Sequence, residues 1–188
     1  MPLDIYYLLY EGYRLPFLQI PPGFTSRNNR SALDHSVFVN EAILELLHSA
    51  RVMELNRPPH VVNPLSVSIQ PNGKKRLILD LRYINNFLIK RRVKYEDWKI
   101  ALYYFQKGSF MITFDLKSGY HHIEIHHPDH LTFLAIVWQF PGKASIRYFV
   151  FTVLPFGLYS APRIFTKCLK LLEKYWNFNG VNMLYFLM

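Results

Sequence analysis

Asn72-Gly73 separates two stretches in which polar and apolar residues alternate, and this leaves the middle of the chain few options. Both residue types tolerate positive φ, so the pair predicts a tight turn between antiparallel strands. The leading strand spans 61–70 and is interrupted by Pro64, which has no amide hydrogen to give a ladder. The returning strand spans 75–82. A period of two puts Leu77, Leu79 and Leu81 on one face and Arg76, Ile78, Asp80 and Arg82 on the other. One face is core; the other is wet and mostly charged.

Helical patterns flank this hairpin. Phe38, Ala42, Ile43, Leu46, Leu47 and Ala50 recur at steps of three and four, after Asp34 or Ser36 as a cap, with Pro58-Pro59 closing the unit. A second helix is expected over 95–104. Strands follow at 110–115, 121–126, 131–139 and 146–153, with Pro141-Gly142 as a turn. After Ser160-Ala161-Pro162, the stripe Ile164, Phe165, Cys168, Leu169, Leu172, Tyr175 and Trp176 predicts a helix, with proline in its first turn. Residues 181–188 read as one further strand. Residues 1–30 are aromatic, broken by Pro21-Pro22-Gly23 and Asn28-Asn29, and read as an irregular lead-in. Helices interleaved with hairpins predict an α+β fold.

Composition supports a real core and points to a class of partner. Apolar residues make up 51% and charged residues only 19%, which argues against wholesale disorder. The 22 Lys and Arg against 13 Asp and Glu give +9. That excess suits a polyanion such as nucleic acid or a triphosphate, and equally a basic surface kept for solubility. Cys168 is the sole cysteine, which excludes an internal disulfide and a cysteine-based zinc site. No signal-peptide pattern opens the chain, and no apolar run approaches the roughly 20 residues that a membrane helix needs. The expectation is a soluble intracellular protein with no membrane partner.

Phe114-Asp115-Leu116-Lys117-Ser118-Gly119-Tyr120 resembles the first catalytic motif of reverse transcriptases. The resemblance extends outward in order and spacing over about 31–188. Val62-Asn63-Pro64-Leu65-Ser66-Val67, with Gly73 through Asn85, is similar to the fingers hairpin. Leu154-Pro155-Phe156-Gly157-Leu158 and Ser160-Ala161-Pro162 resemble the loop and helix after the first motif. The style is closest to retrotransposons of the DIRS type. The implied organisation is a lead-in over 1–30, fingers over 31–109 and a partial palm over 110–188, built from antiparallel hairpins and packed helices.

The implied activity is RNA-directed DNA synthesis by nucleotidyl transfer, from deoxynucleotides on an RNA or DNA primer-template. Two Mg²⁺ ions would clamp the attacking and leaving oxygens, and Mg²⁺ takes hard carboxylate and carbonyl ligands. The resemblance makes Asp115 the metal-binding carboxylate, with the Leu116 carbonyl as a further ligand. It sets Tyr120 under the sugar, excluding a 2′-hydroxyl, with Gly119 beside it permitting close ligand approach. It gives Arg76 the incoming triphosphate, which suits a guanidinium fork. Phe156 and Gly157 would pack against the nucleotide and primer end.

Each residue has a plainer use: a turn-capping Asp, a packed Tyr, a surface ion-pair set of Arg76, Asp80 and Arg82, and a turn before a helix. The set Asp80–Arg82 fits that plainer use well, and Arg76 less so. His122, Glu124 and His126 mimic a metal site on one strand face. Strand spacing would leave the two histidines about 13 Å apart, too far for one ion, so they read as exposed sheet residues.

The family's second box, Tyr-x-Asp-Asp, should follow Gly180. The residues there are Val181-Asn182-Met183-Leu184-Tyr185-Phe186-Leu187-Met188, with Phe186 at the Tyr position and Met188 at the first Asp. One carboxylate cannot hold two dications, and losing even one electrostatic element lowers rates by about 10²–10³. The expectation is a reverse transcriptase fragment that is catalytically dead or nearly so as it stands. The competing expectations are a non-catalytic nucleic-acid-binding remnant, held to phosphates by the basic fingers, and a decayed gene product.

Overall fold

A computed structural model describes residues 3–91, 98–104, 107–108 and 110–185. In chain order the elements are α1 (Leu3–Glu11), β1 (Phe24–Thr25), α2 (Arg30–Asp34), α3 (Ser36–His48), β2 (Val52–Leu55), β3 (Val61–Val62), β4 (Leu65–Ile69), β5 (Lys75–Leu79), α4 (Arg82–Asn85), α5 (Trp98–Tyr104), β6 (Ala135–Trp138), β7 (Arg147–Phe151) and α6 (Ala161–Phe178). Short 3₁₀ turns occupy Gly119–His122 and Leu131–Phe133. The molecule is mixed α/β.

Two sheets divide the strands. One has the order β1-β3-β6-β7-β2, parallel across β1-β3-β6 and antiparallel across β6-β7-β2. Its register sets Ala135 opposite Val150 and Val52 opposite Phe151. Phe149, Leu134 and Ile136 are fully enclosed there. The other sheet is the β4–β5 hairpin, with Leu65 opposite Leu79 and Ile69 opposite Lys75. Its alternation is as expected: Leu65, Val67 and Leu79 are buried and Leu77 half-buried, while Ser68, Arg76 and Ile78 are exposed. Pro64 separates β3 from β4, so one run serves two sheets.

Several expectations need correction. The turn at 70–74 uses positive φ at Gly73 alone, not at both central residues. Asn72 contributes through its side chain, whose Oδ1 accepts from the Lys74 amide at 3.1 Å. The helix over 36–48 has His35 as its N-cap without a side-chain cap bond, so neither Asp34 nor Ser36 acts there. It buries Val39 and Ile43, with Phe38, Leu46 and Leu47 packed beside them. Ala50 lies past its end at φ 54, off the helical face. The expected helix over 95–104 is Trp98–Tyr104 in its described part; 95–97 lie outside the described residues. The expected strand over 121–126 is a 3₁₀ turn followed by single bridges, Glu124 to Val153 and Ile125 to Tyr13. The expected strand over 131–139 begins with a 3₁₀ turn and is extended over Ala135–Trp138. Residues 181–185 form no ladder, although Met183 and Tyr185 are buried; 186–188 lie outside the described residues.

The lead-in is the largest departure. Residues 3–11 form α1, which buries Ile5 and Leu8, and Tyr13 and Leu15 continue into the core. The Tyr13 amide donates to Glu124 O at 2.7 Å, and the His126 amide donates back to Tyr13 O at 3.0 Å. The Leu15 amide donates to His130 Nδ1 at 3.0 Å. Gly12 makes this seam possible. It sits at φ +84, and a Cβ there would meet His126 N and Ile125 C at 2.8 Å. Aromatic residues on the exposed side of α1, Tyr6, Tyr7 and Tyr10, hide its period, which is why the segment reads as irregular.

Gly12→Ala tests whether the first 30 residues are integral to the fold. Gly142 has a similar φ, +71, but open space around it. Gly142→Ala should cost about 1–2 kcal/mol from left-handed backbone alone. Gly12→Ala should exceed that by about 1–3 kcal/mol, because a backbone clash is added. Equal losses in urea unfolding would mean that the seam is not closed.

Candidate functional site

Three segments far apart in sequence meet where the hairpin, the 3₁₀ turn and α6 come together. The first is the end of β5 and the following helix α4. Asn85 sits in that helix, and its Nδ2 donates to Gly157 O at 2.8 Å while its Oδ1 accepts from the Tyr159 amide at 2.8 Å. One side chain thus clamps both ends of the 157–159 turn. Gly157 is required there on two counts. Its φ is +94, and a Cβ would lie 2.9 Å from Leu79 O. The close approach that its glycine permits is to the hairpin backbone.

The second segment is the 3₁₀ turn that follows Asp115. Ser118 takes φ 54, and the His121 amide donates to Ser118 O at 2.8 Å. Gly119 stands directly over Phe165 of α6: a Cβ there would meet its Cζ at 2.6 Å. The expected room for a ligand at Gly119 is therefore filled by the Phe165 ring. The turn aims Tyr120 inward, with its ring centroid 4.8 Å from Phe156 and 5.4 Å from Phe165. Phe156 keeps 53% of its surface open, so it presents an apolar floor next to Tyr120.

His121 closes the cluster, with its ring 5.4 Å from Phe156. Its Nδ1 is buried with no hydrogen-bond partner. Burial pushes its pKa from 6.5 down to about 4, helped by the Arg51 and His122 charges. The sequence signalled neither this histidine nor the clamp role of Asn85. Asn85 lies within the hairpin motif, but a side chain that bonds a turn more than 70 residues away leaves no periodic trace.

The polar half of the expected site is arranged differently. Residues 110–116 enter no ladder among the described residues, against the strand expected over 110–115. Phe110, Met111, Ile112, Phe114, Asp115 and Leu116 are all exposed. Phe114 touches Trp176 of α6 edge-on at 5.7 Å. Alternation predicts a strand only where a neighbouring strand can complete it. Arg76 lies on β5 opposite Ser68, with its Nε and Nη2 each 3.1 Å from the Gln70 side-chain amide. It lies on the opposite face of β5 from Leu79, about 10 Å along the strand. Asp80 pairs with Arg82 instead, in a two-pronged contact with Nη2–Oδ2 at 2.6 Å. The Arg82 hydrogen bond holds the Asp80 carboxyl below the usual carboxylate range.

The structure thus gathers Tyr120, Phe156 and Gly157, while Arg76, Asp115 and Leu116 are exposed. Among the described residues, no three of His, Cys, Asp and Glu converge as a metal centre would need. His126 Nδ1 lies 2.8 Å from Glu11 O, and His122 is exposed. The donors described do not fit a pair of Mg²⁺ ions: Asp115 supplies one exposed carboxylate where such a pair needs several.

The depressed pKa of His121 sets a pH dependence. The unfolded chain takes up this proton near 6.5, before the folded chain does near 4. The stability that neutral His121 contributes is therefore complete above 6.5 and is lost as pH falls toward 4. The urea midpoint should drop between pH 7 and pH 5, and drop less in His121→Phe. An equal drop in both proteins would show that the ring is not held neutral.

No protein-family model matches the chain. It is similar over 149 residues to the retrovirus-related Pol polyprotein from transposon gypsy of Drosophila melanogaster, with 32% identity, 77% of this chain and 14% of that polyprotein. The Pol polyprotein from transposon 297 of the same fly matches at 27% over 73% of this chain and 13% of its own length. The Pro-Pol polyprotein of feline foamy virus matches at 27% over 74% and 11%. The chain thus spans about one seventh or less of these relatives. Among solved structures, native prototype foamy virus protease-reverse transcriptase superposes on 88% of the chain with a TM-score of 0.61 at 22% identity, using 20% of that protein. A foamy viral protease-reverse transcriptase in complex with double-stranded DNA superposes on 89% at 0.57 and 23%, using 26%. The chain is therefore related to one segment of retroelement Pol polyproteins and shares its mixed α/β fold with part of foamy virus protease-reverse transcriptase.

Proposed function

We propose that the chain is the fingers and first half of the palm of a retroelement reverse transcriptase, an RNA-directed DNA polymerase segment that holds a primer-template and deoxynucleotides. The observation that carries this reading is the meeting of Tyr120, Phe156 and Gly157 around the Asn85 clamp. These residues come from three of the motifs that resemble the family, and nothing in ordinary packing requires those motifs to converge. A half-open Phe156 beside Tyr120 offers an apolar, sharply bounded surface suited to a sugar and its base. In this reading Tyr120 bounds the sugar, Phe156 and Gly157 support the nucleotide and primer end, and Arg76 receives the triphosphate. The net charge of +9 favours the phosphate backbone, and the foamy viral neighbour has been solved with double-stranded DNA. The style of the motifs points to a DIRS-type element.

Asp115 and the Leu116 carbonyl are, in this reading, the first ligands of a Mg²⁺ site whose remaining carboxylates are not among the described residues. A polypeptide of these 188 residues should therefore bind without catalysing. That makes non-catalytic nucleic-acid binding the second reading, favoured by the exposed position of Asp115 and by the absence of a three-ligand cluster among the described residues.

Both readings predict salt-sensitive association with an RNA–DNA duplex. If about four phosphates are neutralised, affinity should fall about 100-fold between 50 and 200 mM salt. Salt-insensitive binding, or none at low salt, would remove both readings. Primer extension with Mg²⁺ should give no incorporation. Incorporation that Asp115→Ala abolishes would instead establish catalysis by this polypeptide alone.

A further inference from the structure

Two histidines grip the seam between the lead-in and the rest of the chain, and backbone atoms fix which ring nitrogen carries the proton in each. The Leu15 amide can only donate, so His130 Nδ1, 3.0 Å away, must be bare, with the ring hydrogen on Nε2. The Glu11 carbonyl can only accept, so His126 Nδ1, 2.8 Å away, must carry its hydrogen. The two rings lie 5.8 Å apart at 72°. A proton added to His126 leaves its bond to Glu11 intact. A proton added to His130 abolishes the bond to Leu15, because an imidazolium has no acceptor and turns an N–H toward an N–H. Leu15 is 3% exposed, so its amide reaches water only if the segment moves.

The two sides of Leu15 are held differently. Beyond it the chain is anchored without histidine: the Ile89 amide donates to Pro16 O at 2.9 Å and the Leu18 amide to Phe87 O at 2.8 Å. Phe17 stacks on the His130 ring at 6.0 Å and 9°, and packs on Phe133 at 4.7 Å. Before Leu15 the seam rests on the Tyr13 backbone bonds to Glu124 and His126, on the His126–Glu11 bond, and on the burial of Ile5, Leu8 and Tyr13.

We propose that His130 is an acid-sensitive latch, whose protonation breaks the Leu15 bond and frees residues 3–15, α1 included, to swing out about Pro16. The groups facing the ring set when this happens. Burial holds the His130 pKa below 6.5, the His126 and Arg14 charges act in the same direction, and Asp129 opposes them. Arg14 is itself paired with Glu11 at 3.0 Å, and His60 meets the Phe133 ring edge-on at 5.2 Å. The unfolded chain takes up the proton near 6.5 while the folded chain resists it to lower pH. What the neutral ring contributes is therefore complete above 6.5 and lost as pH falls below it. The inference stands on the fold alone and requires no polymerase activity.

The test is amide exchange on the ¹⁵N-labelled 188-residue chain at pH 7 and pH 5, read as protection relative to an unstructured chain at the same pH. From pH 7 to pH 5 the protection of Tyr13 and Leu15 should fall about tenfold more than that of Phe151, since an orphaned buried amide carries a cost of that order. Phe151, bonded to Leu134 O within the main sheet, reports global opening and absorbs any effect of His121. His130→Asn offers a side-chain oxygen that does not titrate in this range, so Leu15 protection should keep pace with Phe151. His130→Phe removes the acceptor and should lower Leu15 protection already at pH 7. His126→Asn removes the neighbouring charge, so the loss should begin at higher pH. Leu15 protection that tracks Phe151 in the native chain, or that falls equally in His130→Asn, would overturn the proposal. Long-range ¹H–¹⁵N correlations of the native chain at pH 7 decide the matter even if a variant fails to fold. They should show the Nε2–H tautomer at His130 and the Nδ1–H tautomer at His126, and a hydrogen on His130 Nδ1 would overturn the latch.

Discussion

The contact between Gly157 and the Leu79 carbonyl holds the arrangement together. It joins the end of the β4–β5 hairpin to the turn that launches α6, at a separation that no side chain could share. Asn85 fixes the same turn from the other side through both ends of its amide. With the turn held, Phe156 meets Tyr120, and the Leu154 amide reaches Ile123 O at 2.7 Å. Gly119 then settles on Phe165, which belongs to the helix that the turn began. The aromatic floor thus sits on a set of close backbone contacts as well as on its own ring contacts.

That order of dependence explains what could be read from residues alone. Alternation marked β4 and β5 because each face meets one environment, and the stripe from Ile164 to Leu169 marked α6 for the same reason. The outer part of that stripe is exposed at Leu172 and Tyr175, where the helix leaves the core. Tyr120, Phe156 and Gly157 stand in motifs that the sequence displays, and the fold brings them together. Asn85 and His121 were not legible, because their roles depend on a partner segment brought in by the fold. Helix α1 was missed because aromatic residues on its outer face blur its period. The strand expected at 110–115 has the right alternation, but a strand is a relation between two segments and alternation describes only one.

The site accordingly has two halves of different character. The apolar half is assembled from close backbone contacts and, in the proposed reading, receives the sugar and base. The carboxylate half consists of Asp115 on an exposed stretch, steadied by Phe114 against Trp176. A polymerase needs both, since electrostatic stabilisation of transferring phosphoryl oxygens requires charges held in place before the reaction. The chain is related to a segment spanning about one seventh or less of Pol polyproteins.

Amide hydrogen exchange on the 188-residue chain tests this division directly. Amides of β6, β7 and the turn at 157–159 should be protected to near the global stability, while those of 111–115 exchange within the range of open chain. Comparable protection across 111–115 would contradict the account: it would mean that this stretch is already laddered and that Asp115 stands on a formed sheet beside Tyr120.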